Sequence, residues 1–112
     1  MVIRRGEIFR VDLGGAIGSV QAGIRPVLII QNNTGNKYSP TCIGIPITSK
    51  ENKRSLPTHK ILKGYNFLLN TSTALAEQIL TFNKNQILDY IGEINNNDLL
   101  EINQKIAISL AL

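Results

Sequence analysis

Alternation of apolar and polar positions predicts three short β-strands in the first half of the chain. Residues 6–13 alternate with the period of a half-buried strand, which a Gly-Gly pair then ends. Two short apolar runs rich in β-branched residues, 25–31 and 41–48, flank the turn-forming segment 32–36. Pro46 lies inside the second run, and because proline lacks a backbone N–H it predicts a sheet edge or a bulge there.

The second half of the chain adds further strands and ends in a helix. Residues 57–62, 73–82 and 86–94 have strand-like composition, and the polar segment 49–56 before them is predicted as a loop. Apolar residues at helical spacing then follow at Leu99, Ile102, Ile106 and Leu110. An asparagine among residues 95–97 can cap this helix, since Asn is a favoured N-cap. The pattern therefore predicts a mainly β (α+β) fold, a curled sheet or small barrel of five or six strands with one helix packed on it.

Length and composition indicate one soluble domain. The 112 residues, 43% of them hydrophobic, predict a single unit over residues 1–112 with a real core and a capacity for self-association. Cys42 is the single cysteine of the sequence and lies in an apolar run, so we expect a buried thiol in the reducing cytoplasm. The first residues lack the apolar segment of a signal peptide, and no apolar run reaches the roughly 20 residues of a membrane span.

The net charge of +4 is divided unevenly along the chain. Residues 1–63 hold ten of the twelve basic and three of the eight acidic residues, a net charge of +7, whereas residues 64–112 have a net charge of −3. This segregation indicates a basic face that meets a polyanion. The alternative is that the cations after Thr48 form only the solvated rim of a loop; they are Lys50, Lys53, Arg54, Lys60 and Lys63.

The sequence lacks the motifs of several enzyme classes. Its one histidine and one cysteine are far from any metal-ligand spacing, and it has no phosphate loop, dinucleotide fingerprint or Gly-x-Ser-x-Gly elbow. We therefore expect no metal and no cofactor. The remaining cations and hydroxyls, with Arg25, Thr48, Ser49 and His59 as candidates, suit work on phosphate. RNA carries its own nucleophile, the 2′-hydroxyl, so such groups can cut it by orienting that hydroxyl, stabilising charge on phosphorus and protonating the leaving 5′-oxygen.

Arg25 is the leading candidate because of its position. It lies between a glycine-rich loop and a strand that opens with Pro26, so a rigid element holds a cation near the surface. Its planar guanidinium can hold two phosphate oxygens, and the Thr48 hydroxyl at the end of a neighbouring strand can donate to the same group. Since arginine stays protonated in proteins, the general base stays open. Imidazole suits that task, but the alternative for His59 is a stacking or hydrogen-bonding surface group.

A series of short motifs runs through nearly the whole chain. In order they are Arg5-Gly6-Glu7, Gly18-x-x-Gln21-x-Gly23-x-Arg25-Pro26, Val27-Leu28-Ile29-Ile30-Gln31-Asn32, Asn36-x-x-Ser39-Pro40-Thr41, Ile47-Thr48-Ser49, Leu56-Pro57-Thr58-His59, Glu77-Gln78-Ile79 and Ile108-Ser109-Leu110-Ala111-Leu112. Together they resemble the MazF/PemK family of toxin endoribonucleases. The resemblance implies an SH3-like β-barrel of about five to seven strands with a C-terminal α-helix. It also implies a cytoplasmic homodimer that cuts single-stranded mRNA at a short sequence without a metal ion, leaving 2′,3′-cyclic phosphate and 5′-hydroxyl ends and inhibiting translation and growth.

The resemblance assigns roles to eight residues. Arg25 and Thr48 match the family's catalytic pair, in which the arginine stabilises the phosphorane and takes part in proton transfer and the threonine fixes the scissile phosphate. The implied RNA contacts are Ser19, Gln21, Leu56, Pro57, His59 and Gln78. For the two glutamines the alternative is a buried amide that satisfies loop backbone, and for the leucine and proline it is ordinary rim packing. Val20 stands where close relatives often carry a glutamate, so the loop contacts and the target sequence are expected to differ.

The resemblance also implies a protein partner, and two other function classes stay open. The partner is a MazE-like antitoxin whose acidic, extended C-terminal segment lies across the RNA groove. One alternative is a non-catalytic barrel that binds single-stranded RNA or DNA, for which three Phe, three Tyr and no Trp supply few stacking platforms. The other is a gyrase poison of the CcdB type on the same fold, whose family typically ends in a tryptophan-bearing tail that this sequence lacks.

Overall fold

Seven strands and two α-helices make up the computed structural model, which describes residues 1–15, 21–50 and 55–112. In chain order they are β1 (Glu7–Asp12), β2 (Ile24–Ile29), α1 (Asn33–Tyr38), β3 (Thr41–Thr48), β4 (His59–Ile61), β5 (Thr73–Leu75), β6 (Leu80–Asn83), a 3-10 helix (Lys84–Gln86), β7 (Ile87–Glu93) and α2 (Asn96–Leu110). The prediction of a mainly β fold with a C-terminal helix is confirmed.

All strand pairs are antiparallel, and β3 is the centre of the sheet. The strand order is β4-β5-β3-β2-β1-β7, and β6 pairs with β3 beside β5. Among the described strands no pairing joins β4 to β7, so the sheet is curled and not closed into a barrel. β2 lies between β1 and β3, with Val27 opposite Pro46 and Leu28 opposite Ile45.

The proposed edge position of Pro46 is wrong, because β3 has partners on both sides. On the side away from β2, residues 41–44 pair with β6 and residues 47–48 pair with β5. Pro46 lies between these two ladders. Its missing N–H therefore falls where β3 changes partner, which is a position that tolerates proline inside a sheet.

Two further predictions are corrected. The segment 73–82 is not one strand, because the chain turns between β5 and β6, where the Gln78 N–H donates to the Leu75 carbonyl at 3.0 Å. The connection predicted as a turn contains α1, whose N-cap Asn32 accepts from the Gly35 N–H at 2.8 Å through its side chain. That helix has six residues and no apolar stripe, so periodicity does not reveal it.

The core lies on both faces of the curled sheet. One cluster joins β1, β2, β3 and β5 to α2 through the fully buried Ile102, and the other includes Phe9, Val27 and the buried Cys42. Asn95 caps α2 by accepting from the Asp98 N–H at 2.8 Å, as expected of one of these asparagines. The buried thiol of Cys42 is likewise confirmed, and burial raises its pKa above the ordinary value.

Candidate active site

A cleft of about 270 Å³ opens where β2 begins and β3 ends. Its lining combines one cation, two serine hydroxyls and an apolar wall, from Ile24, Arg25, Pro26, Ile47, Ser49, Phe67, Leu68, Leu69 and Ser72. The segment between β4 and β5 supplies half of the apolar wall, and β2 and β3 supply the other half. A guanidinium and hydroxyls beside apolar surface form a site that can hold a phosphate and place a base against the wall.

The register of β2 with β3 places the two predicted catalytic residues at the same end of this strand pair. The recorded ladder runs to the pair Val27–Pro46. Arg25 and Thr48 each lie two residues beyond that pair, so the same register continued sets them opposite one another and on one face. Residues 24–26 and 47 and 49 all border the cleft, which places both strand ends beside it.

Hydrogen bonds to backbone hold the Arg25 side chain and close the base of the loop before it. Its Nε donates to the Ala22 carbonyl at 2.9 Å, which uses one of the five guanidinium N–H groups. Two hydrogen bonds close the base of the preceding loop: the Gly23 N–H donates to Gly14 at 2.7 Å and the Leu13 N–H donates to Gly23 at 2.9 Å. Gly23 has a φ of +74°, a conformation that favours glycine. The loop therefore delivers Arg25 to the cleft in a fixed backbone frame.

Thr48 lies behind the cleft surface, since its side chain is buried at 2% exposure. Its Oγ1 accepts from the Lys50 N–H at 3.2 Å, and Thr73 is its partner in β5. Accepting this bond does not consume the hydroxyl hydrogen, which can still donate. Ser49, by contrast, lines the cleft directly. The two hydroxyls of this strand end therefore differ in access.

His59 is held at both ring nitrogens. Its Nδ1 accepts from the Leu56 N–H at 3.3 Å, and its Nε2 lies 3.0 Å from Glu77 Oε2, with the side chain 9% exposed. Since Nδ1 is an acceptor, the proton of the neutral ring is on Nε2 and points to the carboxylate. Thr58 donates to the other oxygen of Glu77 at 3.0 Å. Because both ring nitrogens have partners within the protein, His59 is not placed to exchange a proton with substrate.

Glu77 is a residue that sequence reasoning missed as part of the site. Burial alone raises its pKa, but hydrogen bonds from its own backbone N–H, from His59 and from Thr58 outweigh burial and lower it below the ordinary value. Its presence in the Glu77-Gln78-Ile79 motif was the only available signal.

The predicted RNA contacts occupy two neighbouring turns and a loop end. Leu56 and Pro57 are exposed on the turn before β4. Gln78 lies in the turn between β5 and β6, and its Oε1 accepts from the Gln21 N–H at 3.1 Å. The Oε1 of Gln21 itself is buried without a partner in the described part of the chain. Ser19 and Val20 lie outside the described residues.

The basic residues are less uniform than the charge count indicates. Lys60 is paired with Asp98 at 3.4 Å and with Glu101, and the hydrogen bond that Lys60 donates to Glu101 raises the pKa of the lysine above the ordinary value. The same Asp98 accepts from Tyr65 Oη at 2.5 Å, so these contacts tie β4 to the first turn of α2. Lys53 and Arg54 lie outside the described residues. Lys60 is therefore committed to the fold, and Arg25 is the cation that lines the cleft.

The described segments contain no metal-ligand cluster and no helix suited to crossing a membrane. No group of three or more His, Cys, Asp or Glu side chains in them is placed to hold a metal ion. Nor does any helix in these segments have the length and apolar character needed to cross a membrane.

Comparison with known proteins gave concordant results. Residues 4–110 match the model of the family described as PemK-like, MazF-like toxin of type II toxin–antitoxin system. Endoribonuclease MazF of Staphylococcus saprophyticus is 44% identical over 112 residues, covering 99% of this chain and 93% of that protein. A solved endoribonuclease in complex with its cognate antitoxin, from Mycobacterial species, is 29% identical with a TM-score of 0.83, covering 98% of this chain and 96% of that one. MazF from Deinococcus radiodurans has the same fold, with a TM-score of 0.84 at 18% identity over 100% and 99% of the two chains.

The Glu77→Gln variant is expected to lose a pH-dependent part of the stability. Because the folded protein holds the pKa of Glu77 below 4.5, the carboxylate stabilises the fold above that pH, and this contribution is lost as the pH falls through the lower folded pKa. The variant has no group to titrate there. The difference in free energy of unfolding between wild type and Glu77→Gln should shrink when urea unfolding is repeated from about pH 7 to about pH 3. A difference that grows as the pH falls contradicts this.

Proposed function

Because the chain belongs to the family of PemK-like, MazF-like toxins of type II toxin–antitoxin systems, we propose that it is an endoribonuclease toxin that cuts single-stranded RNA at a short sequence. It acts as a single domain over residues 1–112, in the cytoplasm, and inhibits growth by destroying mRNA. The observation that carries the proposal is the cleft at the β2–β3 end, where an anchored arginine lies beside hydroxyls and an apolar wall.

The reaction is an internal transesterification of the RNA backbone. The 2′-oxygen forms a bond to phosphorus and loses its proton, while the bond from phosphorus to the 5′-oxygen breaks and that oxygen gains a proton. The products are a 2′,3′-cyclic phosphate and a 5′-hydroxyl. The nucleophile is part of the substrate, so the protein's task is to orient it and to stabilise charge, and the reaction needs no metal ion.

Arg25 stabilises the charge that develops on the phosphorane. Its Nε bond to Ala22 fixes the plane of the guanidinium, so the remaining N–H groups can meet two phosphate oxygens without first being ordered. Thr48 donates its hydroxyl to the same phosphate once substrate enters, and Arg25 also takes part in proton transfer. His59 is not assigned as the base, because Leu56 and Glu77 occupy its two nitrogens.

Recognition of the RNA bases belongs to the segments around the cleft. Leu56 and Pro57 offer exposed apolar surface on one turn, and Gln21 and Gln78 offer amides on the loop end and turn beside it. Ser19 contributes from the loop before Gln21. Stacking and amide hydrogen bonds of this kind read single-stranded RNA.

Removing either member of the catalytic pair should abolish cleavage. Arg25→Ala and Thr48→Ala are each expected to lower the cleavage rate at least about 100-fold, the cost of losing a preorganised donor to a phosphorane. The measurement is mapping of cut sites in a long RNA with excess EDTA, where wild type should cut at one motif. Arg10→Ala and Thr81→Ala are matched controls, because both residues are exposed and lie on other strands.

Three results would contradict this assignment. They are random cutting by wild type, loss of cutting on chelation, and full activity of Arg25→Ala. The Ser49→Ala variant separates the two hydroxyls of the strand end. A greater loss of cleavage rate with Ser49→Ala than with Thr48→Ala would show that Ser49, which lines the cleft, makes the phosphate contact.

The proposed partners are a second copy of the chain and an acidic antitoxin. The mycobacterial relative was solved with its cognate antitoxin, and the basic half of this chain suits the acidic, extended C-terminal segment of a MazE-like protein. That segment would lie over the same groove as RNA.

An acidic peptide should therefore compete with RNA. In fluorescence anisotropy, an extended Asp- and Glu-rich peptide is expected to displace labelled RNA from the Arg25→Ala protein, while its Asn and Gln counterpart does not. Binding of both ligands to one protomer without mutual weakening would contradict a shared groove.

A further inference from the structure

One short segment, residues 75–78, connects both flanks of the proposed RNA-binding surface. Through Glu77 it holds the turn at residues 56–59, and through Gln78 it holds the backbone at Gln21. The turn is closed by the His59 N–H, which donates to the Leu56 carbonyl at 3.0 Å, and the Ala76 N–H donates to Thr58 at 3.1 Å. These contacts form one hydrogen-bonded network, which we call the polar clasp; its members are Gln21, Leu56, Thr58, His59, Ala76, Glu77 and Gln78.

The polar clasp fixes the tautomer of His59 as well as its position. Leu56 donates to Nδ1, which must therefore accept, and Nε2 must donate to Glu77. The opposite tautomer would set two N–H groups against each other at Leu56 and leave the carboxylate facing a lone pair. The ring thus transmits the position of Glu77 to the backbone of Leu56.

We propose that Glu77 is the positioning residue for sequence recognition: its carboxylate, through His59 and Thr58, sets the turn that presents Leu56 and Pro57 to the RNA bases. This inference rests on the proposed function, since it names how that same site discriminates between sequences. Glu77 is not among the residues that line the cleft at Arg25. It acts on the base-contacting turn, and the neighbouring Gln78 couples that turn to Gln21 on the loop that leads to Arg25.

Glutamine at position 77 can keep the hydrogen bonds to His59 and Thr58 while it removes the negative charge of the carboxylate. Its carbonyl oxygen can accept from His59 Nε2, and its amide can donate to the Thr58 hydroxyl, which is able to accept. Glu77→Gln therefore keeps the hydrogen bonds to His59 and Thr58 without the charge, whereas Glu77→Ala removes both of these bonds. A direct catalytic or RNA-contacting carboxylate would be damaged by both substitutions.

The experiment compares kcat/KM for an RNA with the preferred motif and for RNAs with one base of it changed. Glu77→Ala is expected to reduce the ratio between them about tenfold, the effect of losing one or two hydrogen bonds, chiefly through KM. Glu77→Gln should restore the ratio to near the wild-type value. His59→Ala should lower the ratio at least as far as Glu77→Ala, since the resemblance also makes His59 an RNA contact, and the double variant should be no worse than His59→Ala, because both side chains act through one clasp. Glu93→Ala, an exposed carboxylate on β7, is the matched control.

The tautomer gives a readout that does not depend on cleavage. His59 is the only histidine of the chain, so its ring nitrogen signals in a nitrogen-15 NMR spectrum need no assignment. With the ring neutral, wild type and Glu77→Gln should show a protonated Nε2, and Glu77→Ala should show a mixture of tautomers.

The outcomes are distinguishable. Equal discrimination by Glu77→Ala and wild type, or a Glu77→Gln variant as impaired as Glu77→Ala, would overturn the positioning role and leave the endoribonuclease proposal intact. Absence of RNA cleavage by wild type, even with the expected tautomer, would overturn the proposed function and this inference with it.

Discussion

The pairing of β2 with β3 is the constraint on which the site depends. Val27, Leu28 and Ile29 of β2 are fully buried and set against residues 44–46 of β3, so the register is specified by burial on both faces of the sheet. A slip of one residue would move Arg25 out of line with Thr48 and onto the opposite face of the sheet. The relative position of the proposed catalytic pair is therefore a consequence of apolar packing several residues away from it.

A second constraint is that several polar side chains outside the cleft lining serve the fold. Lys60 neutralises two acids of α2, His59 and Glu77 hold a turn, and Gln78 accepts from loop backbone. Each of these groups has the chemistry of a catalytic or binding residue but has a partner within the protein. Arg25 differs, because its hydrogen bond to the Ala22 carbonyl uses one of its five N–H groups, and we propose that the planar end of the guanidinium binds an anion.

The sequence allowed most of the strands and the leading candidate cation to be predicted, because both predictions depend on local signals. β3 matches its apolar run at both ends, and Arg25 is marked by glycines before it and a proline after it. The prediction of a single strand over residues 73–82 was wrong because the turn within this segment contains no glycine or proline. The six-residue helix α1 was not predicted because its sequence has no apolar period.

The contacts of the site could not be predicted in the same way. His59 finds Glu77, and Lys60 finds Asp98 and Glu101, only after distant segments pack together. Nothing in the neighbouring residues indicates which partner a lone histidine or lysine will meet. The burial of Thr48, at 2% exposure, is also a property of packing and not of the strand pattern.

The proposed mechanism makes the 2′-hydroxyl of the RNA the nucleophile and Arg25 the group that stabilises charge on phosphorus. Cleavage can be measured on a series of RNA oligonucleotides that contain the preferred motif and carry a single 2′-deoxy nucleotide at successive positions. One substitution, at the nucleotide 5′ to the cut, is expected to abolish cleavage, while substitution at other positions leaves the cut in place. Cleavage that persists with a 2′-deoxy nucleotide at that position would show that water or another group attacks phosphorus, and would contradict the mechanism.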